Sequence, residues 1–147
     1  MNSQHLMKPG ETTEAVEPSW QTLPAMIDEV LTQHAPRDAI VDGATRLTFR
    51  ELEDAMREVA SGLLDQGLEA GDTVLIWSEN SWRWAVTALA CWWQGMTVAA
   101  ASHRLKGMEV APLIRLLRPA AVFTGNDNNG GSLYELLQEH LNARGAD

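Results

Sequence analysis

Val74-Leu75-Ile76-Trp77 and Thr97-Val98-Ala99-Ala100-Ala101 flank the stretch Ser81 to Gln94, and this order decides the fold. Both runs are continuous in small or β-branched apolar residues and lack the alternation of a strand with one wet face. A third such run, Ala120-Ala121-Val122-Phe123, follows a helical stretch over about Val110 to Arg118. Continuous apolar strands separated by helices predict a parallel sheet covered on both faces, so the class is α/β with crossover helices. Pro112 puts the start of the second crossover helix near Glu109, or a bend there, because a proline deeper in a helix costs about 3 kcal/mol.

The stretch from Ser81 to Gln94 is apolar almost all round. Trp82, Val86, Leu89 and Trp93 share one face, Trp84, Ala88, Cys91 and Trp92 cover most of the rest, and only Arg83, Thr87 and Gln94 make a polar stripe. Such a helix is buried between layers, so its second face requires a neighbour beyond its own sheet. Burying one tryptophan contributes on the order of 4–6 kcal/mol. Two left exposed would approach the net stability of a domain. The expectation is therefore a neighbour missing from this chain, against the alternative that every tryptophan fits inside one compact core.

Upstream, Leu23, Met26, Ile27, Val30 and Leu31 recur at helical steps and predict a helix over Leu23 to His34, closed by Pro36. Asp38 to Asp42 reads as a strand, Asp42-Gly43 as a tight reversal, and Arg46 to Thr48 as the return strand. Thr48 and Glu51 have capping-box spacing, which starts a helix with Phe49, Leu52, Met56, Val59 and Leu63 as its buried stripe. Glu53 and Arg57 are spaced for an exposed ion pair, and Gly67 ends the helix as a left-handed cap. Downstream, Ser132 and Glu135 make a second capping box, with Leu133, Leu136, Leu137 and Leu141 at helical spacing up to Arg144.

At 147 residues the chain has the size of one domain, and such a domain buries about 70% of its unfolded surface. The formal charge of -9 argues against nucleic acid or anionic lipid as a partner. The single cysteine, Cys91, allows no intrachain disulfide and points to a reducing compartment. Residues 1–20 are polar and contain Lys8, Glu11, Glu14 and Glu17 without an apolar core, which predicts a loose arm and no signal peptide. The most apolar run, Trp84 to Trp93, is shorter than the roughly 20 residues of a bilayer span. A soluble, cytoplasmic protein is expected.

Candidate sites are few. Gly125-Asn126-Asp127-Asn128-Asn129-Gly130-Gly131 lacks the acidic spacing of a calcium loop and any lysine, so it reads as a surface turn. His103, Arg104, Lys106, Arg115 and Arg118 form a basic cluster in sequence, with solvated charge as its simplest account and a nucleotide or coenzyme A phosphate as the alternative. His5, His34, His103 and His140 lack the spacing of metal ligands. Glu79, Asn80 and Ser81 fall at a strand's carboxyl end, where α/β sheets place ligands, although a loop with a helix cap explains them equally. No catalytic, cofactor-binding or metal-ligating residue is assigned.

Leu47-Thr48-Phe49-Arg50-Glu51-Leu52, Gly71-Asp72-Thr73-Val74, Asn80 and Gln94-Gly95-Met96-Thr97-Val98 together resemble the opening of the adenylate-forming ligases, the superfamily of acyl-CoA synthetases. Phe49 stands in the tyrosine position of the family's Leu-Thr-Tyr-x-Glu-Leu motif. A proline common after the Gly-x-x-Val step is replaced by Ala99, Ala100 and Ala101. The resemblance covers Leu23 to Asp127. It implies the first subdomain of the ligase fold, and in the whole enzyme a reaction of a carboxylic acid, ATP with magnesium, and coenzyme A to acyl-CoA, AMP and pyrophosphate.

The resemblance also marks what to look for. The only lysines are Lys8 and Lys106, neither in a Ser/Thr/Gly-rich loop, and nothing matches the family's phosphate loop, adenosine-binding aspartate or catalytic lysine. The chain is thus expected to be an arm (1–20) and an incomplete N-terminal subdomain (21–147), inactive alone, with an open sheet edge and the remainder of the ligase as partner. The alternative is a free-standing interaction module or a subunit of a split ligase. The acyl substrate is not legible.

Overall fold

The computed structural model describes residues 20–126 and 131–142, with side chains up to Gln138. The arm expected before Trp20, the loop residues 127–130 and the residues beyond Asn142 lie outside the described residues. The elements run α1 (Leu23–His34), β1 (Asp38–Asp42), β2 (Thr45–Thr48), α2 (Phe49–Asp65), β3 (Thr73–Ser78), α3 (Trp82–Trp93), β4 (Thr97–Ser102), α4 (Gly107–Leu117), β5 (Ala121–Thr124) and α5 (Leu133–Asn142). β1 and β2 form an antiparallel hairpin, and β3, β4 and β5 form a parallel sheet in the order β4-β3-β5. The α/β class with crossover helices is what the residues fold into.

Local chemistry sets the ends of these elements. The Thr48 amide donates to Glu51 Oε2 at 2.8 Å and the Glu51 amide donates to Thr48 Oγ1 at 3.3 Å, so the capping box opens α2. The Thr48 amide and hydroxyl hold the Glu51 carboxyl below its ordinary pKa. Arg57 pairs with Glu53 one turn earlier. At the other end Gly67 takes φ +85°, its amide donates to Leu64 O at 2.9 Å, and Leu68 donates to Leu63 O at 3.1 Å. That is a Schellman ending, with Leu63 and Leu68 packed in one apolar cluster. α3 ends the same way: Gly95 at φ +75° donates to Trp92 O and Met96 donates to Cys91 O.

α4 departs from the sequence reading. It begins at Gly107, earlier than Glu109, and Pro112 lies inside it. Glu109 Oε2 accepts the Lys106 amide at 2.8 Å, an N-terminal stop that compensates part of the cost of the interior proline. α4 closes on Arg118, whose backbone sits in the left-handed region at φ 46°, ψ 54°. That conformation costs a side-chain-bearing residue roughly 1–2 kcal/mol. Arg118→Gly is expected to raise stability by about 0.5–1 kcal/mol in urea unfolding, since relief of the strain exceeds the extra freedom gained by the unfolded chain.

Each face of the sheet has its own core. Val74 and Ile76 pack with Leu63, Ala88, Cys91 and Met96 on the α2–α3 side, while Leu75 and Trp77 pack with Val110, Ala111, Leu133 and Leu137 on the α4–α5 side. A third cluster lies outside α3, where Ile27, Leu31, Leu52 and Met56 meet Val86 and Ala90. The second face of α3 is thus covered largely by α1 and α2 of its own chain. Trp93 Nε1 donates to Asp28 Oδ1 at 2.7 Å, Arg57 lies over the Trp93 ring, and the Trp82 amide donates to Asp42 Oδ2 at 2.9 Å. This reduces the neighbour inferred from the tryptophans to a smaller demand: Trp82, Trp84, Trp92 and Trp93 are all half-buried.

Candidate functional site

A cleft of about 700 Å³ opens at the carboxyl ends of β3 and β5, beneath α2 and the start of α3. Its wall carries Glu58 and Val59 from α2, Ser78 at the end of β3 and Glu79 after it, Trp82 and Trp84 from α3, and Phe123 to Asn126 from the end of β5 onward. This is the end of a parallel sheet where ligands of α/β proteins bind. Glu79 and Ser81, flagged in the sequence, therefore lie at the cleft. Ser81, however, caps α3, its Oγ accepting the Trp84 amide at 3.3 Å, and the Ser78 hydroxyl donates to Glu79 O at 3.2 Å. These two hydroxyls are engaged in local structure.

Gly125 fixes how narrow the cleft is. Its amide donates to Trp77 O at 3.1 Å, and a Cβ there would come within 2.8 Å of Ser78 Cβ. The strand end thus passes close to its neighbour before Asn126 bridges back to Ser132. The sequence showed this glycine only as part of a turn. Its role becomes visible only once β3 and β5 are adjacent.

The basic cluster dissolves in space. His103 to Lys106 sit in the loop after β4 at the carboxyl end of the sheet, whereas Arg115 and Arg118 lie at the far end of α4, about 14 and 18 Å from Lys106 along the helix axis by its rise of ~1.5 Å per residue. A single phosphate site from these five residues is excluded by that separation. His34 lies beside Arg37 and tilts against the Phe49 ring. Among the described residues no group of three or more His, Cys, Asp or Glu side chains is placed to hold a metal ion. His5 and the side chain of His140 lie outside the described residues.

Cys91 is fully buried, and burial pushes its thiol up to about 11. The folded state therefore holds the thiol proton more tightly than the unfolded one. The stability tied to that proton is present below about pH 9 and lost as pH rises toward 11. At neutral pH a disulfide reagent is expected to label Cys91 only at the rate of unfolding, with labelling rising together with alkaline loss of the circular dichroism signal. Fast labelling of the folded chain would contradict its burial.

The parallel sheet with a cleft at its carboxyl end and a capping-box helix packed beside it is an α/β ligand-binding architecture. The model of the AMP-binding enzyme family matches residues 27–146, and the chain belongs to that family. It is 28% identical over 118 residues to the methyl-dioxo-octahydroindenyl-propanoyl:CoA ligase of Rhodococcus jostii, covering 80% of this chain and 23% of that protein. Its counterpart in Mycobacterium tuberculosis is 32% identical over 116 residues, covering 76% and 23%. A benzoate CoA ligase from Burkholderia xenovorans superposes with a TM-score of 0.72 at 19% identity, over 86% of this chain and 25% of that one. The chain spans about a quarter of the length of these relatives. Among the described residues no helix is long and apolar enough to cross a membrane.

Proposed function

We propose that this chain is the amino-terminal scaffold of an AMP-forming carboxylate–CoA ligase, residues 21–147 being an incomplete first subdomain behind an N-terminal arm, and that alone it catalyses nothing. In the whole enzyme the reaction would join a carboxylic acid to AMP from magnesium ATP, releasing pyrophosphate, and pass the acyl group to coenzyme A. The observation that carries this reading is the family match over 27–146 combined with a span of only 23% of the ligases it matches. The physics of adenylation supports the second half. Phosphates require a cradle of backbone amides with a lysine, and the charge that develops on them requires a metal and cations. The one lysine among the described residues, Lys106, lends its backbone amide to Glu109 at the start of α4. The reading places the protein in the cytoplasm, in keeping with one buried, reduced thiol.

Purified chain incubated with ATP, magnesium, coenzyme A and a panel of aliphatic, aromatic and amino acids is expected to form neither adenylate nor thioester above background. Formation of either would overturn the inactivity. The edge of the sheet at β5, open among the described residues, favours a second reading, in which the chain is a subunit of a split ligase or a free-standing interaction module. Size-exclusion chromatography separates these: a defined complex with an unrelated protein favours the module, and a complex that gains ligase activity favours the split enzyme.

A further inference from the structure

We propose that the outer face of α4 is a self-association surface, on which a second copy of this chain docks its own α4 in the antiparallel sense about a two-fold axis between the two copies of Pro112. The inner face of α4 is already used by the core: Val110 and Ala111 are buried, and Ile114 packs with them against Leu75 and Trp77. The outer face is apolar where a solvated helix would carry charge. Met108 is 62% exposed and Leu116 78%, and Pro112 between them is exposed as well. These three recur every four residues, so they form one row along the helix.

The order of residues on this face is its own complement. At about 3.6 residues per turn, Met108 and Leu116 lie about 40° to either side of Pro112, and Glu109 and Arg115 about 60° to either side. All five are exposed. Each pair is also equidistant from Pro112 along the axis. In an antiparallel pair centred on Pro112, Met108 of one copy therefore comes level with Leu116 of the other, and Glu109 level with Arg115, each relation occurring twice. At the roughly 8–10 Å between packed helices, Glu and Arg side chains span the gap. A parallel pair would instead set Glu109 beside Glu109 and Arg115 beside Arg115. The Glu109 carboxylate is held in place, since its Oε2 accepts the Lys106 amide at 2.8 Å. A face shaped for a foreign helix has no need of this two-fold order, which is why the occupant is a second copy.

The contact is small, and its size sets its strength. α4 has 11 residues and is about 16 Å long, so its outer face falls short of the ~800 Å² per partner of a stable interface. The pair therefore forms and dissociates with concentration. α4 covers the Leu75–Trp77 face of the sheet, opposite the side on which α2 and α3 pack, so pairing leaves the cleft open. It also stands apart from the ligase reading, because no residue of the cleft takes part.

Sedimentation velocity of the full chain from about 1 μM to about 1 mM is expected to show the mean mass rising from 16.2 kDa toward twice that value. Leu116→Glu, at a position that the core does not use, should raise the concentration needed for half-association by about tenfold or more. Glu109→Arg alone and Arg115→Glu alone should each do the same. An equimolar mixture of these two should regain the dimer of the parent, because in the mixed pair each altered charge faces its opposite. Should Glu109→Arg lose the start of α4 together with the Lys106 amide contact, crosslinking decides. Under mild oxidation, Met108→Cys mixed with Leu116→Cys is expected to form the mixed disulfide faster than either variant forms its own, with Cys91 too buried to compete. A mass of 16.2 kDa throughout, association unchanged by Leu116→Glu, a mixture of folded charge variants no better than its components, or crosslinking without preference for the mixed disulfide would each overturn the proposal. Association unchanged by Leu116→Glu would place the contact elsewhere, the β5 edge included. The adenylation assay decides the inactivity of the chain separately.

Discussion

Trp77→Ala is expected to lower the unfolding free energy by about 3–5 kcal/mol, read from urea unfolding followed by far-UV circular dichroism. Trp77 lies on the central strand with no exposed surface, between Leu75, Ala101 and Val110 and under Leu133 and Leu137 of α5. Truncation leaves a cavity walled by a sheet that cannot collapse, because β4 and β5 hold β3 on both sides. Against a net stability of about 5–15 kcal/mol, that loss is enough to leave a substantial unfolded fraction at the low end. The polar contribution can be separated from it. Trp77 Nε1 donates to Ser102 O at 3.0 Å, but the Leu105 amide donates to the same carbonyl at 3.0 Å. Trp77→Phe, which keeps most of the volume and leaves the carbonyl still paired, should therefore cost only about 1 kcal/mol. Equal losses in the two variants would show that the hydrogen bond, not the packing, dominates.

What was legible in the sequence was what local chemistry fixes. α1 runs over Leu23–His34 and β1 over Asp38–Asp42 as read, because Pro36 and the Asp42-Gly43 turn bound them. The capping box at Thr48 and the glycine cap at Gly67 are visible from residue type alone, since each depends on groups within a few positions. α4 was misplaced because a proline is normally excluded from a helix interior, and the competing stop at Lys106 and Glu109 is weaker as a pattern than Pro112 is as a breaker. The apolar belt of α3 announced a layer on each side of it, but the second layer was expected from outside this chain, whereas α1 and α2 supply most of it. Which layer could not be read, because covering Trp93 depends on Asp28 in α1, 65 positions away. The cleft shows the same limit: Glu79 and Ser81 were visible as a strand end, but Glu58, Trp84 and Phe123 reach it from elements that only the sheet order brings together.

A second large effect is expected at Gly107, and it separates close approach from ordinary helix propensity. Added to Gly107, a Cβ would meet the Leu136 carbonyl oxygen at 2.5 Å and its carbon at 3.1 Å, both backbone atoms of α5. Backbone held in a helix cannot swing aside as a side chain end can, so Gly107→Ala must push α4 and α5 apart. Overpacking of this kind costs about 1–3 kcal/mol. The opposing gain, alanine over glycine in a helix, is at most about 1 kcal/mol, so destabilisation wins. Gly62 supplies the control: it lies within α2 with nothing within 4 Å of where its Cβ would be. Gly62→Ala is expected to stabilise by about 0.5–1 kcal/mol, the propensity gain alone. Thermal melts of the two variants should therefore move in opposite directions from the parent. If Gly107→Ala rises as Gly62→Ala does, α5 does not pack on the start of α4.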